Sequence, residues 1–418
     1  MIGSATAAEM PSPPEIIIPS SWEEAAEAIA FDSTPFPPPM TMVCGAANCG
    51  KSTFSRLLLN TLLMRYRRVG YLDADVGQPE FTAPGCISLH IIDKKTPDLS
   101  ILQMKTPERC IFFGHISCQQ DARNHSISVF ILYDYFRKEF YQIDDFDNPC
   151  KTLVPLIINT SGWVQGTGYD MLVEMLQHMS PSHIVRVCFS SESGKFLNGQ
   201  CWLKKHQNVP MNLVEICAGT SSYIQPEIMR KEARMIQDLR IVAYFRQCLP
   251  GEMSFACHKE FVDNFASIHP CEIPLSRIKF KHVGCQITTD EVSTSLNGSI
   301  VGLVVSSSDL SGKTTPWCIG LGIIIAMDYS KDQIHLVTPV PLAILRKVDL
   351  LLKGTIDIPI CLQKVYKFSS LDEVIQKQHC TESSGCRSEE FLQKQLFASE
   401  SSACSSPKNM LSKEQLAD

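Results

Sequence analysis

The sequence lacks the features that mark secreted, membrane-spanning or broadly basic nucleic-acid-binding proteins. Its 418 residues carry 38 basic and 44 acidic side chains, so no overall positive field is present, and any nucleic-acid binding must come from a local, salt-sensitive patch. The N-terminus has neither a basic start nor an apolar run of signal-peptide length, so we expect no secretion. The longest apolar run, Ile319 to Met327, is interrupted by glycine and too short to span a bilayer, so we expect no membrane association.

Cysteine pairs and zinc-binding patterns are also missing, although cysteine itself is abundant. The 18 cysteines are scattered singly, with no Cys-x-x-Cys pair and no histidine at a spacing suited to zinc. This pattern predicts free thiols in a reducing compartment rather than a disulfide framework.

Composition and periodicity divide the chain into four parts. They are a flexible N-terminal segment with a short helix from a Ser20 N-cap, a P-loop domain with an arginine-bearing helix, a β-rich C-terminal domain, and a tail rich in Ser, Gln, Lys and Glu that we expect to be disordered apart from a helix near Phe391. The predicted boundaries are 1–38, 39–268, 269–367 and 368–418.

Short apolar segments alternate with helical ones through the second part. Strands are predicted at Met42–Cys44, Arg68–Asp73, Ile111–Phe113, Leu153–Asn159 and His183–Phe189. Helices are predicted from the P-loop to about Tyr66, over Gly168–Leu176, and from Pro226 to about Leu249. The strand–helix–strand order indicates an α/β fold, with a P-loop NTPase-type doubly wound parallel sheet.

After about Pro270 the pattern changes to short strands with alternating polarity, which predicts the smaller β-rich domain. These strands are Arg277–His282, Ser299–Val305, Gly320–Met327 and Ile334–Thr338. In the first of them Arg277, Lys279 and Lys281 alternate with apolar residues, which predicts three cations on one face. We favour an ordinary solvated face for them over a contact with an RNA backbone.

The stretch Gly45-Ala46-Ala47-Asn48-Cys49-Gly50-Lys51-Ser52-Thr53 has the form of a phosphate-binding P-loop. Its two glycines let the backbone curl so that consecutive N–H groups point into one concavity, above the positive end of the following helix. Lys51 is expected to reach the β- and γ-phosphates, and Ser52, rather than Thr53, to coordinate Mg²⁺. The strand before the motif and the helix after it argue against a glycine-rich turn that binds nothing.

A second motif, Asp73-Ala74-Asp75-Val76-Gly77-Gln78-Pro79, ends a strand that lies beside the P-loop strand. Ligands bind at that edge of a parallel sheet. Asp73 and Asp75 face the same way on an extended chain, so one can hold the metal while the other accepts a proton from an attacking hydroxyl. An Asp-containing structural turn is the alternative.

A third motif, Asn159-Thr160-Ser161-Gly162-Trp163, follows another buried strand. The Thr160 hydroxyl is a candidate ligand for metal or phosphate, and Gly162 permits a close backbone approach. Trp163 either stacks on a ligand or packs in the core.

The P-loop does not belong to a guanine-specific switch. The Asn-Lys-x-Asp motif that specifies guanine is absent, and the Asp-x-x-Gly switch is one residue short at Asp75-Val76-Gly77.

Taken together, the three motifs and the helix that contains Asp238-Leu239-Arg240 resemble the eukaryotic polynucleotide 5′-hydroxyl-kinases over about residues 20–360. The ribosomal-RNA-processing, nucleolar branch is more similar than the mRNA 3′-end cleavage-factor branch. The segments that favour this branch are Ser21-Trp22-Glu23, Gly77-Gln78-Pro79-Glu80-Phe81 and Leu336-Val337-Thr338-Pro339-Val340-Pro341.

The resemblance implies ATP- and Mg²⁺-dependent phosphorylation of an RNA 5′-hydroxyl end. Lys51 and Ser52 would hold phosphates and metal, Asp75 would be the general base, and Gln78 and Thr160 would line the site. Arg240 and Arg234 would match the arginines of a lid helix, with Asp73 and Thr160 at the metal.

The resemblance also implies a nuclear, nucleolar location and an endoribonuclease partner in ribosomal-RNA processing. One departure is clear: about 40 residues precede the P-loop here, where the family usually has a β-rich domain that helps to hold the nucleotide base.

Two other functions are compatible with a P-loop. A nucleotide-binding scaffold subunit of an RNA-processing complex would keep the loop but needs neither a base nor a lid, so the combination of Lys51, Asp75, Thr160 and Arg240 argues against it. A P-loop ATPase that acts in assembly or movement is the third candidate.

Overall fold

The computed structural model describes residues 18–32, 37–96, 103–142, 153–189, 211–219, 226–251, 258–284, 296–308 and 314–367. Most of the predicted N-terminal flexible segment and the whole predicted tail, including its helix near Phe391, lie outside these residues. Within them, no helix has the length and apolar character needed to cross a membrane.

A seven-stranded sheet contains the P-loop. Its strands are β1 (Met40–Gly45), β2 (Val69–Asp73), β3 (Cys86–Ile92), β4 (Arg109–Phe112), β5 (Leu156–Asn159), β6 (His183–Cys188) and β7 (Asn212–Cys217). The order is β4-β3-β2-β5-β1-β6-β7, and the five strands from β2 to β7 in that order run parallel. The predicted doubly wound parallel sheet is therefore confirmed.

The antiparallel edge of this sheet differs from the expectation. The apolar segment near Ile111 is a strand, but it lies in β4 and pairs antiparallel with β3, a strand that we did not predict. Strand β7 was also missed. Its side chains are largely exposed, so the continuous apolar run that marks a buried parallel strand is absent.

Helices cover both faces of the sheet. Helices α1 (Ser20–Ala30) and α2 (Lys51–Leu62) pack on one face, and α3 (Ala122–Phe140) and α4 (Thr167–Met179) pack on the other. Helix α2 ends at Leu62, earlier than predicted, and the residue before α1 is Pro19, so Ser20 is not its N-cap. The whole of α3 was missed, although Val129, Leu132 and Phe136 have helical spacing.

The second sheet is smaller, which confirms the predicted β-rich part, and it is mostly antiparallel. Its strands are β8 (Cys271–Pro274), β9 (Lys279–His282), β10 (Ser299–Ser308), β11 (Thr314–Asp328), β12 (Gln333–Val337) and β13 (Leu350–Lys353), in the order β8-β12-β11-β10-β13-β9. The remaining helices are α5 (Pro226–Arg246), α6 (His258–Ala266), α7 (Leu342–Leu345) and α8 (Ile360–Lys367).

The three cations that the sequence places on one face are not together. Arg277 ends a 3-10 turn before β9, and its guanidinium donates to the backbone carbonyls of Arg346 and Val348. Only Lys279 and Lys281 share the exposed face of the strand.

One apolar core joins the two sheets. Phe112 of β4 and Phe245 of α5 lie in the same cluster as Ile300 and Leu321 of the second sheet. The contact is close, because a Cβ added at Gly302 would lie 2.5 Å from the Cγ atom of Phe112. Helix α5 is therefore held against both the P-loop sheet and the β-rich part.

The tryptophan of α1 lies directly under the P-loop. Trp22 is 3% exposed, its Nε1 donates to the carbonyl of Cys217 at 2.7 Å, and its ring lies edge-on to Phe54. A Cβ added at Gly50 would lie 2.5 Å from the Cη2 atom of Trp22. The indole therefore fills the space that the missing side chain at Gly50 leaves.

We expect Trp22→Ala to lower the free energy of unfolding by about 3–5 kcal/mol, because it leaves a cavity between α1, α2 and the loop. Urea denaturation measures this loss. Phe31→Ala, at the end of the same helix and 52% exposed, is the matched control and should change stability by less than about 1 kcal/mol. Equal stability of the two variants would show that α1 is not part of the core.

Candidate functional site

The backbone between β1 and α2 curls as a phosphate-binding nest requires. Gly45, Asn48 and Gly50 have φ values of 153°, 60° and 98°. Glycine is needed at the first of these positions, since an added Cβ would lie 2.3 Å from the carbonyl oxygen of Val187. Helix α2 begins at Lys51, so its first N–H groups and its dipole are directed towards the loop.

The predicted P-loop lysine is buried inside this turn. Lys51 is 6% exposed, and its Nζ donates to the carbonyl of Ala46 at 2.9 Å. The Lys51 side chain thus reaches back across the loop to Ala46. Its ammonium group lies within reach of any anion held by the loop N–H groups.

A hydrogen-bonded chain joins the P-loop helix to the aspartate motif. The Nδ2 of Asn159 donates to Oγ of Ser52 at 3.3 Å and to Oδ1 of Asp73 at 3.1 Å. Because Oδ1 of Asp73 also accepts from a backbone N–H, the donor end of the Asn159 amide faces it. The strand register explains the proximity, because Asp73 and Asn159 are paired at the carboxyl ends of β2 and β5.

Asp73 is completely buried and accepts two further hydrogen bonds. Its Oδ1 accepts from the N–H of Asp75 at 3.2 Å, and its Oδ2 accepts from the N–H of Glu80 at 2.6 Å. Burial raises the pKa of Asp73 to about 7, which the Glu80 N–H and the Asn159 amide partly oppose. The carboxyl group therefore titrates close to neutral pH.

Asp75 has a different environment from Asp73. It is partly exposed, and its Oδ1 accepts from the N–H groups of Gly77 at 3.0 Å and Gln78 at 3.1 Å. Both bonds use one oxygen, so Oδ2 remains as the acceptor on the more accessible carboxylate. The two acids of the motif thus differ in accessibility: Asp73 is buried, and Asp75 can be reached from solvent.

The threonine motif also lies against the P-loop. The Thr160 hydroxyl donates to the carbonyl of Val43 in β1 at 2.9 Å, so its proton is directed at the backbone. A Cβ added at Gly162 would lie 2.6 Å from the Cα of Ala47, as the close approach predicted from the sequence requires. Trp163 packs against the core and against Gly168, which favours the packing role.

The two predicted lid arginines have different surroundings. Arg240 is 7% exposed, and its Nη1 donates to the carbonyl of Glu80 at 2.9 Å. Arg234 is exposed on the same helix, about 120° away around the axis. The structure therefore brings Arg240 to the aspartate loop and leaves Arg234 at the surface.

Three contributors to this site were not identified from the sequence. Asn159 is the last residue of a buried strand at the ligand-binding edge, which is the one signal that could have identified it. Glu80 and Arg56 form a buried ion pair at 3.1 Å. No local pattern marks that pair, because the partners are far apart in sequence.

An apolar cavity opens beside the start of the P-loop. It has an empty volume of about 660 Å³, part of it open to solvent, and is lined by Cys44 and Gly45 of β1, Val187 of β6, and Tyr169 and Leu172 of α4, among others. Apolar and aromatic walls beside a phosphate loop suit a nucleobase or a ribose.

The donors near Lys51 suit a magnesium ion. Mg²⁺ takes oxygen ligands and is held by one or two protein groups together with phosphates and water. Ser52 and Asp73 supply such oxygens, and the Oδ1 of Asn159 is a buried acceptor with no hydrogen-bond partner among the described residues. No cluster of three or more His, Cys, Asp or Glu residues in the described part of the chain forms another candidate metal site.

Two family models and a plant relative match most of the chain. Residues 45–247 match the family described as mRNA cleavage and polyadenylation factor CLP1 P-loop, and residues 266–359 match the NOL9-like C-terminal domain. The Arabidopsis thaliana protein named polynucleotide 5′-hydroxyl-kinase NOL9 is 42% identical over 84% of this chain and 94% of its own length.

More distant relatives carry the same kind of name. The human polynucleotide 5′-hydroxyl-kinase NOL9 is 27% identical over 78% of this chain, and the Schizosaccharomyces pombe polynucleotide 5′-hydroxyl-kinase grc3 is 23% identical over 86%. The matched regions cover 50% and 54% of those proteins, so the chain spans about half their length.

A solved Clp1p–Pcf11p complex has the same fold. Its matching chain aligns with a TM-score of 0.55 and 15% sequence identity, over 81% of this chain and 78% of that chain.

The buried Asp73 generates a pH prediction for the ligand-free protein. A carboxyl group whose folded-state pKa lies above its unfolded value of 3.8 stabilises the fold less as pH rises between the two values. We compare the free energy of unfolding of Asp73→Asn with that of the wild type. The variant's value minus the wild-type value should rise by about 2–3 kcal/mol between pH 5 and pH 8.

Urea denaturation of both proteins without Mg²⁺ or nucleotide measures this difference. His90, whose pKa burial lowers to about 3, has the opposite effect on stability but is present in both proteins and cancels. A difference that does not vary with pH would show that the pKa of Asp73 is not raised.

Proposed function

Because this chain belongs to the family of polynucleotide 5′-hydroxyl-kinases that includes the Arabidopsis relative, we propose that it transfers the γ-phosphoryl group of ATP to the 5′-hydroxyl end of an RNA. The observation that carries this proposal is the hydrogen-bonded chain from Ser52 through Asn159 to Asp73, beside Lys51 and next to Asp75. A loop that only binds a nucleotide does not need a second acid, Asp75, beside Asp73.

The nucleotide phosphates bind in the nest between Gly45 and Thr53. Its N–H groups and the Lys51 ammonium neutralise the β- and γ-phosphates, and Arg240, with Arg234 from the surface of α5, adds positive charge as the phosphoryl group moves. Ser52 and Asp73 would hold Mg²⁺, with Thr160 close by. When bound, the ion further neutralises the phosphate charge.

The 5′-hydroxyl proton passes to Asp75. Its carboxylate is partly exposed and held through Oδ1 by the backbone of the following turn, so Oδ2 is presented to a substrate without strain. Gln78, whose N–H makes one of these bonds, lines the nucleophile side. Asp73 is the less accessible acceptor, because it is buried and its oxygens already accept three hydrogen bonds.

We extend the proposal to a nucleolar role in ribosomal-RNA processing, together with an endoribonuclease partner that generates the 5′-hydroxyl ends. The NOL9-type relatives and the NOL9-like C-terminal domain support this branch over the cleavage-factor branch. Imaging of the tagged chain tests the location, and nuclease activity that co-purifies with it tests the partner.

We expect Lys51→Ala to reduce phosphoryl transfer by about a thousandfold while the protein stays folded, since the side chain neutralises phosphate rather than packing the core. The assay uses labelled ATP and an RNA oligonucleotide with a 5′-hydroxyl end, and the same RNA with a 5′-phosphate is the control. ATP hydrolysis by the wild type without transfer would instead indicate an ATPase. ATP binding with neither reaction would indicate a scaffold.

The two acids should respond differently to metal. Asp75→Asn removes the proton acceptor but not the shape, so transfer should collapse at every Mg²⁺ concentration while ATP binding is preserved. Asp73→Asn should instead raise the Mg²⁺ concentration required and keep appreciable turnover at saturation. Mg²⁺ titrations of both variants, with nucleotide binding measured alongside, make the comparison. If excess Mg²⁺ rescues Asp75→Asn and not Asp73→Asn, the two roles are reversed.

A further inference from the structure

Glu80 contacts three parts of the site with three different groups. Its N–H donates to Oδ2 of Asp73 at 2.6 Å, and its carbonyl accepts from Nη1 of Arg240 in α5. Its carboxylate lies 3.1 Å from Nη1 of Arg56 in α2 and 3.9 Å from Nη2 of Arg240. A single residue thus connects the P-loop helix, the metal-side acid and the lid helix.

All the charged groups of this set are buried. The side chains of Arg56, Glu80 and Arg240 are 4%, 6% and 8% exposed. Buried ion pairs are a poor source of stability, because apolar side chains of similar volume often serve as well or better. The 3.1 Å contact between Arg56 and the Glu80 carboxylate and the 2.9 Å bond from Arg240 to the Glu80 carbonyl do, however, fix the positions of the groups they join, and the longer 3.9 Å pair adds attraction between opposite charges.

The lid helix meets the aspartate loop at a second point on the same face. A Cβ added at Gly77 would lie 3.6 Å from Nε2 of Gln237, three residues before Arg240. Residues three apart share one helix face. Gln237 and Arg240 therefore hold the same face of α5 against the loop between Asp75 and Glu80. A displacement of Glu80 would therefore also move α5 relative to the catalytic base.

We propose that Glu80 is a positioning residue for phosphoryl transfer. Its N–H orients the Asp73 carboxylate, and its carbonyl and carboxylate together hold the Arg240 guanidinium beside the aspartate loop. Arg56 holds the same carboxylate from α2, which gives it one orientation. This inference rests on the proposed kinase function and adds a residue that does not itself touch the reacting atoms.

The charge of the set allows a test that separates positioning from stability. Two arginines and one glutamate carry a net charge of +1. Glu80→Gln raises the net charge to +2, whereas the double variant Arg56→Met/Glu80→Gln returns it to +1 without restoring the carboxylate that holds Arg240. Glu80→Asp keeps the charge but shortens the side chain by one methylene.

We expect Glu80→Gln to lower both the melting temperature and kcat. In the double variant the melting temperature should recover to near that of the wild type, while kcat stays about 10–100-fold below it and the Kd for ATP changes by less than about threefold. Glu80→Asp should likewise lower kcat with little change in melting temperature.

Glu108→Gln is the matched control, because it removes the same charge from a half-exposed pair with Arg109 on β4, and kcat should not change. Recovery of wild-type kcat together with stability in the double variant, or a wild-type kcat in Glu80→Asp, would overturn the proposal. If the double variant does not fold, Glu80→Asp decides. Absence of transfer by the wild type in the same assay would instead reject the kinase function itself.

Discussion

The ionisable group on which the whole site depends is the buried carboxylate of Asp73. A carboxylate at the end of β2, shielded from water, is tolerated only if donors surround it. Those donors come from three places: the turn after Asp73, the Glu80 N–H, and the Asn159 amide at the end of β5. The Asn159 amide reaches Asp73 because β2 and β5 are neighbours and these two residues are paired. The buried charge therefore depends on this sheet topology.

The second sheet contributes to the same region, although it carries none of the predicted catalytic residues. The carbonyl of Gly114, which follows β4, accepts from the N–H of Thr355, and Nδ1 of His115 pairs with the Thr355 hydroxyl at 3.0 Å. The next segment reaches the aspartate motif, since a Cβ added at Gly77 would lie 2.8 Å from the carbonyl oxygen of Ile116. The β-rich part thus braces the loop that carries Asp75, the proposed proton acceptor.

The sequence predicted those features that depend on local chemistry. The positions of Gly45 and Gly50 are dictated by backbone curvature, and Asp73 and Asp75 follow from their place at the end of a strand. Asn159 also ends a strand, but local chemistry does not reveal its bond to Asp73, 86 residues away. The bond between Glu80 and Arg240, 160 residues apart, is hidden in the same way. The sequence did not predict the burial of Arg240 either. Helical periodicity shows which face of α5 a residue lies on, but not which residue that face contacts.

The contact between Trp22 and Gly50 gives the molecule an internal optical reporter. An indole that is buried, hydrogen-bonded through Nε1 to Cys217 and in contact with the phosphate loop has an emission spectrum set by those neighbours. Trp163 and Trp317, the other tryptophans in the described part of the chain, are partly exposed and report a more polar setting. We therefore expect occupancy of the loop to change the emission of Trp22, so that binding can be followed without a labelled nucleotide.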